Sequence, residues 1–254
     1  MTVDVLVVLS GASRGLGQAM AARYLAEGAF VLGLSRRSSG ELKASGAGGL
    51  EQWQVDLADP LPVAERLGAW LADVERRAAG KLPARVRVIH NAALLSDPGN
   101  VAESDPVDLA QSLRIGLEAP VALTAAFLRA TAGWTACDRR VLFVSSGLGR
   151  RPMAGSAAYC AQKAGLDHFA RALALEEQAR PNGARVASVA PGVIDTDMQK
   201  QLRGADLQRF PERATFDEFH RSGALDSPAT AAAKVIALLE RADYGTKPVT
   251  DVRE

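Results

Sequence analysis

The sequence feature that most constrains the fold is a glycine-rich turn near the start of the chain. The run Val3–Leu9 is apolar and β-branched, which is typical of a strand buried on both faces of a parallel sheet. The turn SGASRGLG follows it, and Gln18–Glu27 is predicted to be a helix that ends before Gly28. Glycines at such a turn let the backbone approach a phosphate, and the helix N-terminus offers free N–H groups. A tight βα turn without a ligand is the alternative, and the position directly after the first strand favours a phosphate site.

Strands and helices alternate along the rest of the chain, which predicts an α/β fold. The further predicted strands are Ala29–Leu34, Gln52–Val55, Val86–Ile89, Val141–Val144, Arg185–Val189 and Lys247–Val252. The further predicted helices are Leu61–Ala79, Val107–Ala130 with a kink at Pro120, Ser156–Ala179, and Pro228–Leu239 capped by Ser227. This order predicts a doubly wound, open parallel sheet of about seven strands, with helices on both faces in three α/β/α layers.

Length and composition are those of an ordinary soluble domain. The 254 residues fit one domain over 1–254, and 48% of them are hydrophobic. A net charge of +1 gives no basic footprint for nucleic acid or an anionic membrane. The two cysteines, Cys137 and Cys160, lack metal-ligand spacing, and no segment has the pattern of a signal peptide or a membrane span. We expect a reduced, cytoplasmic protein without a disulfide or a metal site.

The fifth predicted strand leads into a cluster of reactive side chains. It delivers Ser145 and Ser146 at its end, and the helix that follows carries Tyr159 and Lys163 four residues apart. This spacing places the phenol and the ammonium on one helix face. A hydroxyl, a phenol and a lysine brought together form a proton-transfer site suited to a carbonyl or an alcohol.

The end of the second strand indicates which dinucleotide would bind. An acidic residue at this position holds a ribose 2′-hydroxyl, whereas arginine accommodates a 2′-phosphate. Here Arg36 and Arg37 follow the strand, no acid is present, and Arg14 lies in the glycine turn. NADP(H) is therefore favoured over NAD(H), and a solvated surface pair of arginines is the alternative.

Other strand ends converge on the same edge of the predicted sheet. Gly11, Asn91, Ser146 and Pro191 each follow a strand, so a ligand crevice is expected there. His90 has no partner with ligand spacing and is expected to be structural. The segment 194–225 after the sixth strand has no clean periodicity, and its length predicts a lid over the site.

Six motifs, in order and at fitting distances, resemble the short-chain dehydrogenase/reductase family. They are SGASRGLG, Asp56-Leu57, Asn91-Ala92-Ala93, Ser145-Ser146, YCAQK at 159–163 and PGVIDT at 191–196. The resemblance covers essentially the whole chain and implies a Rossmann-type sheet. ALEE at 174–177, the run 190–199 and the tail VTDVRE are similar to sepiapterin reductases and, more closely, to the bacterial benzil reductases of this family.

The resemblance implies roles for the reactive cluster. Tyr159 would be the general acid of carbonyl reduction, and the Lys163 cation is expected to lower the pKa of the phenol and to bind the nicotinamide ribose. The family's carbonyl-orienting serine lies thirteen residues before the tyrosine, which selects Ser146 over Ser145. The catalytic residues expected by resemblance are Ser146, Tyr159 and Lys163.

The resemblance also implies a cofactor site and a substrate pocket. The expected cofactor residues are Gly11, Ser13, Arg14, Gly15, Leu16, Gly17, Arg36, Arg37, Asp56, Leu57, Asn91, Ala92, Ala93, Tyr159, Lys163, Pro191, Gly192, Val193 and Thr196. Candidate apolar walls are Leu148, Met153, Ile194 and Met198, with core packing as the alternative. Asp251 falls where the sepiapterin enzymes present an acid to the pterin, and an exposed terminal aspartate is the alternative.

Two departures from the family pattern bear on function. Ala93 replaces a glycine near the cofactor, and Gly116 stands where an asparagine commonly supports a water-mediated proton relay to the lysine. Gly116 cannot support this relay and is not among the expected catalytic residues, so another group or an extra water has to serve it and reduced activity is expected.

The motifs, the arginines after the second strand and the family resemblance together predict an NADPH-dependent reductase of small aromatic or vicinal dicarbonyl compounds. The alternatives are a sepiapterin-type pterin reductase and a cofactor-sensing binding protein with little turnover. By analogy, a homodimer or homotetramer is expected through the helices Val107–Ala130 and Ser156–Ala179.

Overall fold

A seven-stranded parallel sheet forms the centre of the protein. The computed structural model describes residues 3–46, 48–78 and 80–254. The strands are β1 (Val5–Ser10), β2 (Phe30–Ser35), β3 (Gly49–Gln54), β4 (Arg85–His90), β5 (Asp138–Val144), β6 (Arg185–Ala190) and β7 (Val249–Asp251). They are arranged in the order β3-β2-β1-β4-β5-β6-β7. The chain therefore adds β2 and β3 on one side of β1 and then crosses over to add β4 to β7 on the other side. The predicted fold class is confirmed.

Helices cover both faces of the sheet because each strand presents apolar residues on both sides. The helices are α1 (Gly15–Ala26), α2 (Pro60–Ala78), α3 (Pro106–Leu113), α4 (Ala119–Ala130), α5 (Ala157–Gln178), α6 (Asp197–Arg203), α7 (Arg213–Arg221) and α8 (Pro228–Glu240). Buried residues of α2, α4 and α5 form one core layer with the sheet. Residues of α1 and α8 form the other core layer on the opposite face. In the described residues, no helix is both long and apolar enough to cross a membrane.

Most predicted elements lie within a few residues of the observed ones. The third strand begins earlier than predicted, at Gly49, and the last strand is shorter than predicted, at Val249–Asp251. The predicted end of the second helix, Ala79, lies outside the described residues. The Ser227 cap is confirmed, because its hydroxyl accepts a hydrogen bond of 3.1 Å from the Thr230 backbone N–H.

The helix predicted over Val107–Ala130 is confirmed as a continuous helical stretch, but its irregularity is not the predicted kink at Pro120. The structure divides this region into α3 and α4, with a π-helical turn at Arg114–Glu118 between them. Pro120 has no backbone N–H for the Gly116 carbonyl, and the Ala119 N–H instead reaches back five residues to the Arg114 carbonyl. The irregularity therefore precedes the proline by one turn instead of appearing as a kink at Pro120.

The segment 194–225 leaves and rejoins the sheet edge at almost the same point. Its start and the residue after its end form a parallel bridge between Ile194 and Asp226. The Asp195 N–H donates to the Asp226 carbonyl at 3.0 Å, and the Asp226 N–H donates to the Val193 carbonyl at 2.9 Å. The sequence did not predict the helices α6 and α7, which this closed excursion contains.

Candidate active site

The glycine turn forms a close-packed cradle between β1 and α1. Gly11 has a φ of +72°, a conformation that favours glycine. A Cβ on Gly17 would lie 2.1 Å from the Gly11 carbonyl oxygen, so helix and turn approach as only glycine permits. No side chain caps the N-terminus of α1 in the described structure. Its N–H groups are available to a phosphate.

Residues from β1 and β4 hold this cradle in place. The Ser10 hydroxyl accepts 3.0 Å hydrogen bonds from the backbone N–H groups of Asn91 and Ala92. The Asn91 side-chain amide donates to the carbonyls of Ser10 and Gly11, at 3.2 and 3.1 Å. His90, at the end of β4, is buried. Its Nε2 forms a hydrogen bond of 2.8 Å with the Thr124 hydroxyl, and its ring stacks on Phe143. Its expected structural role fits these contacts.

The predicted site residues meet in one cleft at the carboxyl edge of the sheet. The cofactor candidates that line it are Gly11, Ser13, Arg14, Gly15, Leu16, Arg36, Arg37, Asp56, Leu57, Asn91, Ala92, Ala93, Tyr159, Lys163, Pro191, Gly192, Val193 and Thr196. Gly17 does not line the cleft, because it packs beneath the turn against Gly11 and Asn91. The observed contacts of Gly17 are therefore packing contacts that bring α1 close to the turn.

Positive charge gathers at one end of the cleft. Arg36 and Arg37 directly follow β2, are exposed, and have no ion-pair partner within the described chain. The buried hydroxyl oxygen of Ser35 beside them has no hydrogen-bond partner in the described residues. Arg14 instead reaches across to Asp197, the first residue of α6, at 3.0 Å. The end of β2 therefore offers two free guanidinium groups to an anionic ligand.

The structure separates the roles of the two serines after β5. Ser145 is buried, and its hydroxyl donates at 2.6 Å to the Asp167 carboxylate. Ser146 lies at the cleft, where its oxygen accepts from the Leu148 N–H at 3.2 Å and its hydroxyl proton stays available. This geometry favours Ser146 as the residue that contacts a substrate.

Tyr159 and Lys163 lie together at the bottom of the cleft. The Lys163 Nζ is 5.5 Å from the centre of the Tyr159 ring and donates at 2.8 Å to the Val144 carbonyl. Burial raises the pKa of Tyr159 to about 12, partly offset by the Ser146 hydroxyl. Burial also lowers the pKa of Lys163 to about 8.

The expectation of a lowered tyrosine pKa is therefore wrong for this structure. The physical reason is that both groups are removed from water, and the desolvation of the phenolate outweighs other influences. A phenol with a raised pKa is protonated at neutral pH.

The predicted substrate residues line the same cleft as Tyr159. Leu148, Met153, Ile194 and Met198 all line the cleft. Met153 also packs in a small core cluster with Tyr159 and the aromatic residues of α7, whereas Ile194 packs toward α8. Phe216 and Phe219 of α7 and Leu95 complete the apolar wall. These three residues were not predicted, because no local sequence pattern connects them to the reactive cluster.

Asp251 lies at the cleft with both carboxylate oxygens engaged. Arg253 donates to one oxygen from its backbone N–H and its Nε, at 3.0 and 2.7 Å, and to the other from its guanidinium at 2.6 Å. These bonds hold the pKa of Asp251 below its usual range. Asp251 is also buried, so the alternative of an exposed terminal aspartate is wrong.

Gln162 fills the space beside Gly116. A Cβ on Gly116 would lie 1.6 Å from the Gln162 Oε1. The Gln162 side chain is fully buried, and its amide donates to the Leu94 carbonyl at 3.0 Å and to the Ser112 hydroxyl at 2.8 Å. Gly116 therefore belongs to a packing arrangement in which a side chain from α5 occupies the volume that any larger residue at 116 would need.

We expect Gly116→Ala to destabilise the protein. The Gln162 amide has to leave the Leu94 carbonyl and the Ser112 hydroxyl, and each buried group left unpaired costs about 1–3 kcal/mol. Gly68→Ala in α2 is the matched control, because none of the described residues lies within 4 Å of its Cβ position and alanine favours a helix by up to about 1 kcal/mol. Urea unfolding measures both free energies. Equal stability of the two variants would contradict the packing argument.

The fold and the reactive cluster together define a class of protein. A doubly wound sheet with a glycine cradle, and a serine, a tyrosine and a lysine at the carboxyl edge, is the arrangement of an NAD(P)-dependent oxidoreductase. The chain belongs to the short-chain dehydrogenase/reductase family, since the family model described as short chain dehydrogenase matches residues 5–206.

Individual relatives are similar over almost their whole length. A benzil reductase ((S)-benzoin forming) of Bacillus cereus is 31% identical over 261 residues, covering 98% of this chain and 99% of the relative. A sepiapterin reductase of Mus musculus is 34% identical over 247 residues, covering 92% and 91%. A crystal structure from Beutenbergia cavernae with NADP bound at low occupancy has a TM-score of 0.79 at 25% identity, covering 98% and 95%.

Proposed function

We propose that this protein is an NADPH-dependent reductase that converts a carbonyl of a small aromatic or vicinal dicarbonyl compound to an alcohol. The observation that carries the proposal is the meeting of Ser146, Tyr159 and Lys163 at one end of the cleft whose other end holds the glycine cradle. One ligand that spans the cleft brings its reactive end to the phenol.

The three side chains have different roles at the carbonyl oxygen. The Ser146 hydroxyl donates a hydrogen bond that orients the oxygen, and Tyr159 gives it a proton as negative charge develops. Lys163 is a cation beside the phenol and stabilises the phenolate that remains. NADPH, when bound, supplies the hydride.

The cleft also fits NADPH at its other end. Arg36 and Arg37 are exposed and unpaired among the described residues, as a 2′-phosphate requires. The open N-terminus of α1 suits the pyrophosphate. We further propose that residues 1–254 form one domain in which 194–225 is a lid, since hydrogen bonds close the ends of this segment while its middle lines the cleft.

The pocket favours an aromatic dicarbonyl over a pterin. Phe216, Phe219 and Leu95 add aromatic and aliphatic surface to the cleft wall. The Asp251 carboxylate, which would have to accept from the amino groups of a pterin, is held by Arg253 on both oxygens. The similarity to the Bacillus cereus benzil reductase supports the same choice.

The test is the consumption of NADPH, and separately of NADH, with benzil, other vicinal diketones and sepiapterin. We expect turnover with NADPH and at least one aromatic diketone. Turnover restricted to sepiapterin would support the pterin reductase instead. Tight NADPH binding without turnover on any compound would overturn the reductase and favour the cofactor-sensing protein.

A further inference from the structure

Asp167 extends the reactive face of α5 by one turn. Tyr159, Lys163 and Asp167 are spaced four residues apart, so all three side chains project from the same side of the helix toward the sheet. Asp167 is 1% exposed, and a carboxylate this deeply buried requires compensating partners. The reductase chemistry proposed above gives it no role.

The partners of Asp167 connect it to the segment that carries Ser146. Its Oδ1 accepts from the hydroxyls of Ser145 and Ser188, at 2.6 and 2.7 Å. Its Oδ2 accepts from the Arg150 Nε at 3.2 Å. A Cβ on Gly149 would lie 2.9 Å from the same Oδ2, so the loop after β5 passes directly over the carboxylate. Asp167 therefore ties both ends of the Ser145–Arg150 loop to α5.

The charge of Asp167 also acts on Lys163. Lys163 is 2% exposed and its Nζ donates to a neutral group, the Val144 carbonyl, so no direct ion pair with a described residue holds its proton. Burial lowers the pKa of Lys163, and the Asp167 carboxylate one turn away opposes this effect. Two charges in a poorly hydrated interior interact more strongly than at the surface.

Other charged and titratable groups face this pair from the neighbouring elements. Tyr159 and Cys160 belong to the same helix, and Arg150 comes from the loop after β5. Ser188 of β6 is neutral, and Asp251 of β7 interacts with Arg150. Arg150 is partly exposed and also donates to the Thr250 carbonyl at 2.7 Å, so water screens its charge. Among these groups, Asp167 is the buried carboxylate that lies on the same helix as Lys163.

We propose that Asp167 is a positioning residue that keeps Lys163 cationic and fixes the loop that carries Ser146. The role of Lys163 in turnover rests on the proposed function, whereas the effect of Asp167 on the charge of Lys163 does not. Loss of the carboxylate therefore has two separable consequences. Lys163 releases its proton at lower pH, and carbonyl reduction declines at lower pH because the phenolate of Tyr159 loses its neighbouring cation.

The test compares Asp167→Asn with the wild-type protein. Asparagine keeps an oxygen for the two serine hydroxyls and removes the charge. We expect the pKa of Lys163, measured in the cofactor-free protein by NMR titration of its Cε resonance and assigned with Lys163→Arg, to fall by about one unit or more. The alkaline decline of kcat/KM for the reduction should move to lower pH by a similar amount.

Glu177→Gln is the matched control. Glu177 is a second buried carboxylate of α5, paired with Arg180 and with the Ala184 N–H, at the far end of the helix. Its loss is expected to change stability and to leave both the Lys163 titration and the pH profile unmoved. Asp167→Glu, which retains the charge, should keep the pKa of Lys163 close to that of the wild type.

An unchanged Lys163 titration in a folded Asp167→Asn variant would overturn the inference. If that variant does not fold, the titration of Lys163 in the wild-type protein is the test. A Lys163 that is already neutral at about pH 6.5 would overturn the inference, because no carboxylate would then be holding its proton. A shifted titration in a protein that reduces no carbonyl compound would overturn the proposed function and leave the electrostatic role of Asp167 standing.

Discussion

Replacing Tyr159 with phenylalanine is expected to reduce carbonyl reduction by about 10²–10⁴-fold, the usual contribution of a general acid. The variant removes one oxygen atom and keeps the ring, which packs with Met153 and the aromatic residues of α7. Since burial raises the pKa of Tyr159 to about 12, the phenol holds its proton throughout the neutral range. Phenylalanine supplies no proton, so the developing alkoxide has to take one from water.

NADPH binding to this variant should be nearly unchanged, which separates loss of chemistry from loss of the site. Turnover with a diketone and fluorescence titration with NADPH measure the two properties. Tyr24→Phe is the matched control, because Tyr24 is equally buried but its hydroxyl donates to Glu240 away from the cleft, at 3.1 Å. Unchanged turnover in the Tyr159 variant would refute the assignment of the proton donor.

Replacing both Arg36 and Arg37 with alanine is expected to weaken NADPH binding by about 100-fold. A hydrogen bond to a charged group contributes about 1.5–3 kcal/mol, and the low end of this range applies because both side chains are exposed. This corresponds to about tenfold for each arginine. NADH has no 2′-phosphate, so its dissociation constant should change little.

Arg76 and Arg77 provide the control for this experiment. They are another adjacent and exposed pair, and both contact Asp73 near the end of α2, outside the cleft. Their replacement with alanine should leave the ratio of NADPH to NADH affinity unchanged. An equal loss of both cofactors in the Arg36 and Arg37 variant would refute the 2′-phosphate assignment.

The fold and the position of the site were predictable because they depend on local patterns. Apolar runs such as Val141–Val144 and the glycine turn after β1 specify strands and a βα unit by their own residues. The carboxyl ends of parallel strands meet at one edge, so residues after the strands had to converge. The four-residue spacing of Tyr159 and Lys163 likewise required one helix face. The same spacing pointed to Asp167, which the sequence analysis passed over.

Only the tertiary structure decided the protonation and the contacts of side chains that come together from distant parts of the chain. The sequence suggested that Lys163 lowers the pKa of Tyr159, whereas the buried site raises it. Gln162 occupies the space at Gly116, and Arg253 engages Asp251. Burial and partner choice depend on every element packed around a group. The sequence therefore determined that the strand-end residues and the reactive side chains of α5 meet at the cleft, and the packing determined their protonation, their partners and the rest of the cleft wall.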